Sequence, residues 1–387
     1  MTDSGELIRS RYIDKLTQLK GNGMVKALSG MRNVGKSTIL RQYRESLVAD
    51  GRPEGSIICV DCESLDFDGV DGTDMMTARI GEAAGNLEFY VLFIDEPEKV
   101  EGWTAALYNL LQEGRCDIYI SSSTDIGPII KGSSIKDRVQ EIRVDPLSLQ
   151  EFMDLNGLTD PISSCERYSR IGGLPIVRAD MDDDLAMAIL RSTLSDILFN
   201  GALDQKGGDD PERLKALVRF IMGHLGQPVQ MKDITEAIDK NQLFADKCLK
   251  AITENFVVFE QEDEGSKLLK SQMRFYASDA GIRSCIRGAG REWEDYADSM
   301  VYTELIRRGY EIKMEKYGET AAFVADTPKG RAYYMASPTV TPDEEPVRKF
   351  GFGPKTGKRR IQVVPRSEVS KGGMGLSDLL LGNDLVE

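Results

Sequence analysis

Gly30-Met31-Arg32-Asn33-Val34-Gly35-Lys36-Ser37 carries the spacing G-x-x-x-x-G-K-[ST], and its residue types suit a bound triphosphate. Backbone N–H groups must aim inward at the phosphates, so the loop has to turn tightly with no side chain in the way. Gly30 and Gly35 permit that turn. Lys36 reaches the β- and γ-phosphates as a point charge, and the Ser37 hydroxyl is placed to ligate Mg²⁺. Further along, Tyr90-Val91-Leu92-Phe93-Ile94-Asp95-Glu96 is an apolar run that ends in two acids. A buried parallel strand delivers such acids at its carboxyl end, where α/β folds bind ligands. Asp95 would hold the Mg²⁺ shell, and Glu96 would orient and polarise the attacking water. Ser121-Ser122-Ser123-Thr124 forms a polar strand tip, with Thr124 the residue expected to sense hydrolysis. A plain strand-to-loop turn is the alternative there.

The flanking pattern supplies the elements that must position these groups. Val25, Ala27 and Leu28 read as a buried strand before the loop, and Ile39, Leu40, Tyr43 and Leu47 recur at helical spacing after it. A phosphate loop has to open a helix, because the helix N-terminus adds free N–H groups and a favourable dipole. Leu7–Leu19 gives an amphipathic lead-in helix, Ile57–Val60 a second strand, Met75–Ala84 a helix, Cys116–Ile120 a strand and Glu141–Val144 the closing strand. Strands separated by helices predict an α/β fold with a parallel sheet.

Composition narrows the class. A chain of 387 residues is long enough for two to four domains. No apolar run approaches membrane-spanning length and the polar start is no signal peptide, so a cytoplasmic protein without membrane contact is expected. The net charge of −14 opposes broad nucleic-acid binding but leaves room for one basic face. Cys59 and Cys62 form C-x-x-C inside an apolar strand pattern with no second pair, so buried strand thiols are expected. His224 is the single histidine, which excludes multi-histidine metal sites.

Beyond the first domain, Glu166–Leu198 is helical in pattern and reads as a lid over the nucleotide. Asp204–Asp210 is a Gly- and Asp-rich linker. Helices are expected at Arg213–Leu225, Met231–Ile238 and Ala245–Glu254, then strands at Phe256–Glu260 and Gln272–Tyr276 around the acidic turn Glu262-Asp263-Glu264-Gly265. Three helices and a hairpin make a winged helix-turn-helix. Its third helix offers only Lys247 and Lys250, and the acidic wing would face phosphates, so packing or partner binding is favoured over reading DNA. The last domain begins near Arg291. Glu304 shares a helix face with Ala297, Met300, Val301 and Leu305, with Arg308 one turn on as its expected partner. Arg348–Lys371 is the one basic region and the expected contact for nucleic acid or an acidic partner.

Several segments together carry a resemblance. They are Arg11-Tyr12, Gly30–Thr38, Phe93-Ile94-Asp95-Glu96 with Val100 and Trp103, and Arg138 followed by Val144-Asp145-Pro146-Leu147-Ser148-Leu149-Gln150-Glu151-Phe152. Gly172-Gly173-Leu174-Pro175 and Phe275-Tyr276 through Asp279–Arg283 complete the set. This chain resembles a widespread prokaryotic family of AAA-type P-loop ATPases with a C-terminal restriction-endonuclease-like domain of unknown function. The resemblance implies ATP rather than GTP, and no N-K-x-D guanine signature is present. It also implies Arg138 as an arginine finger, within the chain or toward a neighbour; a surface arginine paired with Glu141 or Asp137 is the alternative. Asn33, Pro97 and Thr124 depart from the family pattern. So do Thr320–Ala325 and Tyr333–Ala336, where the family's nuclease remnant has acids and a glutamine, and nuclease activity is therefore expected to be absent.

The implied organisation is a P-loop parallel-sheet ATPase domain at 1–153, a helical lid at 154–205, a winged helix-turn-helix at 206–288 and a degenerate nuclease-like α/β domain at 289–387. The expected activity is Mg²⁺-dependent ATP binding and hydrolysis that drives a conformational or partner-binding cycle. An ATP-occupied switch without meaningful hydrolysis and a DNA-binding regulator are the alternatives.

Overall fold

The computed structural model describes residues 6–199, 210–262, 272–287, 296–317, 320–337, 358–370 and 373–383. The chain divides into two compact units, Met1–Val144 and Asp145–Glu387.

Unit one alternates strands and helices: α1 (Ser10–Gln18), β1 (Val25–Ser29), α2 (Lys36–Ala49), β2 (Ile57–Asp61), α3 (Gly72–Ala84), β3 (Tyr90–Asp95), α4 (Trp103–Glu113), β4 (Cys116–Ser122), α5 (Gly127–Lys131) and β5 (Val139–Arg143). The strands form one five-stranded sheet in the order β2-β3-β4-β1-β5, and every pairing is parallel. Helices on such a sheet bury its strands, which is why β3 reads as an unbroken apolar run and β1 is buried along its whole length. Ile39 and Tyr43 of α2 are buried, as the spacing predicts, and Met76 and Ile80 of α3 pack with Trp103, Leu107 and Leu110 of α4.

Lys26, in the middle of β1, is fully buried. Its ammonium meets Asp117 of β4 and the Met24 carbonyl (3.0 Å), and it lies 4.4 Å from the Tyr119 ring centre. Burial lowers its pKa, and the Asp117 carboxylate opposes that shift. A lone buried ammonium would cost several kcal/mol, so the partner is obligatory.

Two details depart from the sequence expectation. The lead-in helix starts at Ser10 rather than Leu7. Cys59 is exposed instead of buried, because β2 is the edge strand of the sheet. Cys62, just past the strand, has its thiol pushed up to about 12 by burial and by Glu98 and other nearby carboxylates, which opposes thiolate chemistry.

Unit two begins with α6 (Leu149–Asn156), α7 (Pro161–Ile171) and α8 (Asp183–Asp196). The continuous helical pattern expected over Glu166–Leu198 is broken. Gly172 sits at φ +75°, the chain runs free of helix through Pro175, and Asp182 caps α8 by accepting from the Leu185 N–H (2.8 Å). Next come α9 (Pro211–Gly223), α10 (Met231–Ile238), α11 (Gln242–Glu254) and the antiparallel pair β6 (Val258–Glu262) and β7 (Met273–Ala277). Most of the Asp204–Asp210 linker and of the acidic turn lies outside the described residues, as does the domain start near Arg291. His224 follows α9, with Nδ1 donating to the Phe220 carbonyl (2.8 Å) and its ring against Phe220.

The chain continues through α12 (Ala280–Arg287) and α13 (Ala297–Arg307) into β8 (Ile312–Tyr317), β9 (Thr320–Thr327), β10 (Gly330–Ala336), β11 (Lys358–Val364), α14 (Arg366–Val369), β12 (Met374–Gly375) and α15 (Leu376–Leu380). The order is β12-β11-β10-β9-β8, antiparallel across β8-β9-β10 and parallel across β10-β11-β12. Ala322 and Met335 are buried with Val324 and Tyr333 in a small apolar cluster; the Ala321 side chain lies outside the described residues. Glu304 binds Arg308 Nε through Oε1 (2.9 Å) and Arg307 through Oε2, so both its oxygens are held by guanidinium groups. Of the basic segment, Arg348, Lys349, Lys355 and Lys371 lie outside the described residues.

Three of the segments that carry the resemblance meet in one buried knot. Ser148 and Glu151 form a reciprocal capping box at the start of α6. The Leu147 carbonyl accepts from Tyr168 Oη (2.7 Å), and the Leu147 N–H donates to the Gly173 carbonyl (2.8 Å). Asp279 accepts from the Gly173 N–H (2.7 Å) and the Ile282 N–H (3.0 Å). A Cβ on Gly172 would lie 2.1 Å from Asp279 Oδ1, so a side chain there would displace the knot. In this knot the backbone and side-chain groups named above bond to one another, as a scaffold requires.

Candidate active site

Parallel strands bring their carboxyl ends to one edge, and the strand order decides which residues meet there. β4 lies between β1 and β3, so its polar tip stands between the phosphate loop and the two acids. The register pairs Asp95 with Ser121 and Ser29 with Ser122.

The loop leaves β1 at Ser29, turns through Asn33 (φ +66°) and Gly35 (φ +97°), and enters α2 at Lys36. Asparagine tolerates the left-handed region better than most residues, which gives a physical reason for Asn33 at this turn. Met31 and Val34 are buried and anchor the loop, while Ser37 at the start of α2 is exposed and Thr38 half-exposed. Arg32 reaches to Glu63, with two contacts of 2.9 and 3.1 Å, and these hydrogen bonds, aided by the guanidinium charge, hold that carboxyl below the usual range.

Gly30 is required for a different reason from the one its motif suggests. A Cβ there would stand 2.2 Å from the Val144 carbonyl oxygen, beyond β5. Gly30→Ala is therefore expected to destabilise unit one by about 1–3 kcal/mol, through overpacking against backbone. Thermal melts of the variant with and without nucleotide check this: loss of affinity at an unchanged melting temperature would refute the packing account.

Lys36 is buried, and its Nζ donates to the Gly30 carbonyl (2.9 Å), the Met31 carbonyl (3.2 Å) and Ser123 Oγ (2.9 Å). Burial lowers its pKa, and the charges of Glu96, Asp95 and Glu98 oppose that. Ser37 Oγ donates to Asp95 Oδ2 at 2.6 Å, and Ser121 Oγ donates to the other Asp95 oxygen. A hydroxyl and a carboxylate one hydrogen bond apart, both hard oxygen donors with the hydroxyl exposed, fit Mg²⁺.

Glu96 is buried at φ +52°, a left-handed position unusual for a glutamate. Its Oε2 accepts from the Ser123 N–H (3.0 Å) and its Oε1 from Ser123 Oγ. Ser123, not Thr124, thus links the lysine to the second acid. Thr124 is buried one residue on, with its hydroxyl 3.4 Å from Glu98 Oε1. Glu98 also accepts from Ser122 Oγ and the Ser123 N–H, and burial together with the neighbouring Glu96 charge pushes its carboxyl up to about 8.

Arg138 does not join this group. It precedes β5, where the Val25 N–H donates to its carbonyl, and its guanidinium donates to the Gly23 carbonyl (3.3 Å). That is the amino end of β1, whereas the phosphate loop leaves the carboxyl end. Five residues of strand separate the two ends, roughly 13 Å at the usual rise. Arg138 thus stands at the opposite end of β1 from its own phosphate loop, which lends no support to a finger acting within the chain. Nor does Arg138 pair with Glu141, which takes the Ser29 hydroxyl.

Residues 22–153 match the family model of an AAA domain, and residues 162–292 match a domain of unknown function (DUF8612). An uncharacterized protein of Haemophilus influenzae is 27% identical over 330 residues, covering 80% of each chain. Among solved structures, a Walker-type ATPase of Pyrococcus abyssi superposes with a TM-score of 0.50 at 15% identity, covering 74% of this chain and 97% of that one. The first unit thus carries the fold of a P-loop ATPase, with an AAA-type domain at 22–153. Among the described residues, no helix is long and apolar enough to cross a membrane.

Proposed function

We propose that this protein binds ATP with Mg²⁺ and hydrolyses it to ADP and phosphate, and that the nucleotide cycle drives a conformational or partner-binding change. The observation that carries this reading is the two neighbouring sets of contacts, one joining Ser37 to Asp95 and the other joining Lys36 through Ser123 to Glu96. Backbone N–H groups at the start of α2 and the Lys36 ammonium would receive the β- and γ-phosphates. Ser37 and Asp95 would hold Mg²⁺, which when bound neutralises charge on the phosphate oxygens. Glu96 would orient a water and accept its proton as the oxygen attacks the γ-phosphorus and the bond to the ADP oxygen breaks.

The segments after unit one are read as a helical lid, a winged helix-turn-helix and a nuclease-like domain without nuclease activity. Glu304 is held as a structural carboxylate by Arg307 and Arg308, which supports that last reading. For the winged helix-turn-helix a packing or protein-partner role is favoured over reading DNA, and the basic segment Arg348–Lys371 is the proposed contact for nucleic acid or an acidic partner.

Phosphate release from Mg·ATP by the full chain tests the activity; tight ATP binding with no release would replace it with an ATP-occupied switch. In the same assay Arg138→Ala is expected to hold turnover within about twofold of wild type at high dilution, since the arginine faces away from its own phosphate loop. A fall confined to high protein concentration would assign Arg138 to a neighbouring copy's site. A tenfold fall at high dilution would refute the placement.

A further inference from the structure

A second glutamate returns to the strand ends beside Glu96. Pro97–Lys99 form a single 3₁₀ turn after the left-handed Glu96, closed by the Lys99 N–H donating to the Glu96 carbonyl (3.1 Å). The turn carries Glu98 back toward the tip of β4. There one oxygen, Oε1, gathers Ser122 Oγ, the Ser123 N–H (3.2 Å) and Thr124 Oγ1 (3.4 Å). The other, Oε2, is buried with no hydrogen-bond partner among the described residues. The Ser123 N–H is shared between Glu98 and Glu96, while the Ser123 hydroxyl joins Glu96 to Lys36.

The sheet does not need this contact, because the Glu96 N–H already donates to the Ser121 carbonyl (2.8 Å). A buried carboxyl oxygen without a partner is costly, and an apolar side chain of similar size would fill the position without that cost. What Glu98 supplies and an apolar residue would not is a three-point hold on the segment that fixes Glu96.

We propose that Glu98 is a positioning residue for hydrolysis: it clamps Ser122, Ser123 and Thr124 so that Ser123 keeps the Glu96 carboxylate in one orientation beside Lys36. This rests on the hydrolytic role proposed for Glu96 above. Burial and the Glu96 charge keep the Glu98 carboxyl protonated at neutral pH, so the clamp adds no second negative charge beside the base. A neutral glutamine should then substitute for it.

The test is steady-state phosphate release and ATP affinity for the full chain as wild type, Glu98→Ala, Glu98→Leu and Glu98→Gln. Loss of the clamp should lower kcat by about 10–100-fold, the scale of a small misplacement at a reacting centre. KM should stay within about twofold in Glu98→Ala and Glu98→Leu, and Glu98→Gln should recover kcat to within about threefold of wild type. If Glu98→Ala fails to fold, the Leu and Gln variants decide, since both fill the space and only glutamine can hold the hydroxyls. Wild-type kcat in Glu98→Leu would overturn the clamp and leave the ATPase standing. An inert wild type would overturn the hydrolytic reading and the clamp with it.

Discussion

Lys36→Met is expected to weaken ATP binding by about 10²–10⁴-fold. The side chain it replaces would make charge-assisted contacts to two phosphates, each worth about 1.5–3 kcal/mol, and the thioether makes none. Methionine keeps most of the apolar stem, so packing under the loop is largely conserved. The substitution also removes the positive charge that offsets the Asp95 and Glu96 carboxylates, whose fields act on the lysine. Those carboxylates then repel the incoming phosphates, which adds to the loss. Calorimetric titration with Mg·ATP measures the affinity, and a melting curve without nucleotide separates binding from folding. Affinity within threefold of wild type would show that Lys36 belongs to the loop's own structure, bonded to the Gly30 and Met31 carbonyls, and not to the phosphates.

What the sequence reveals about this site depends on how local each feature is. The phosphate loop, α2 and the β3 run are encoded by consecutive residues, so spacing and periodicity suffice. The pairing of Ser37 with Asp95 follows from chemistry once both are assigned to the same strand edge. The strand order is different in kind: β4 between β1 and β3 is a long-range arrangement with no local signal. That order selects Ser123 over Thr124, because four consecutive hydroxyl residues look alike until the register pairs Asp95 with Ser121. Arg138 illustrates the same limit, since adjacency to a strand does not say which end of the sheet the residue occupies. Glu98 escapes a reading of the sequence because a single acid after Asp-Glu-Pro looks like a solvated turn; only the 3₁₀ turn brings it back. Cys59 is misplaced by its pattern because a short apolar run cannot distinguish an edge strand from a central one. In unit two, the conformational break at Gly172 is hidden by helical periodicity on both sides of it.

Glu96→Gln is expected to leave ATP affinity within about threefold of wild type while lowering turnover by about 10²–10⁴-fold, the range that general-base catalysis contributes. Geometry explains the separation. The carbonyl of the introduced amide can accept from the Ser123 N–H as Glu96 Oε2 does, at 3.0 Å in the wild type. The amide nitrogen then faces Ser123 Oγ, whose hydrogen is free to turn elsewhere while its second lone pair still receives Lys36. The side chain is held in place and the phosphate contacts are untouched, but an amide cannot take a proton from water. Binding precedes that proton transfer, so affinity persists and ATP should accumulate on the protein. A single-turnover experiment with radiolabelled ATP measures both quantities on one sample. Equal losses of affinity and turnover would mean that the charge of Glu96 supports the loop through Lys36, and its assignment as the base would fall. Unchanged turnover would move the base to another group, with Asp95 the nearest acid on the same strand.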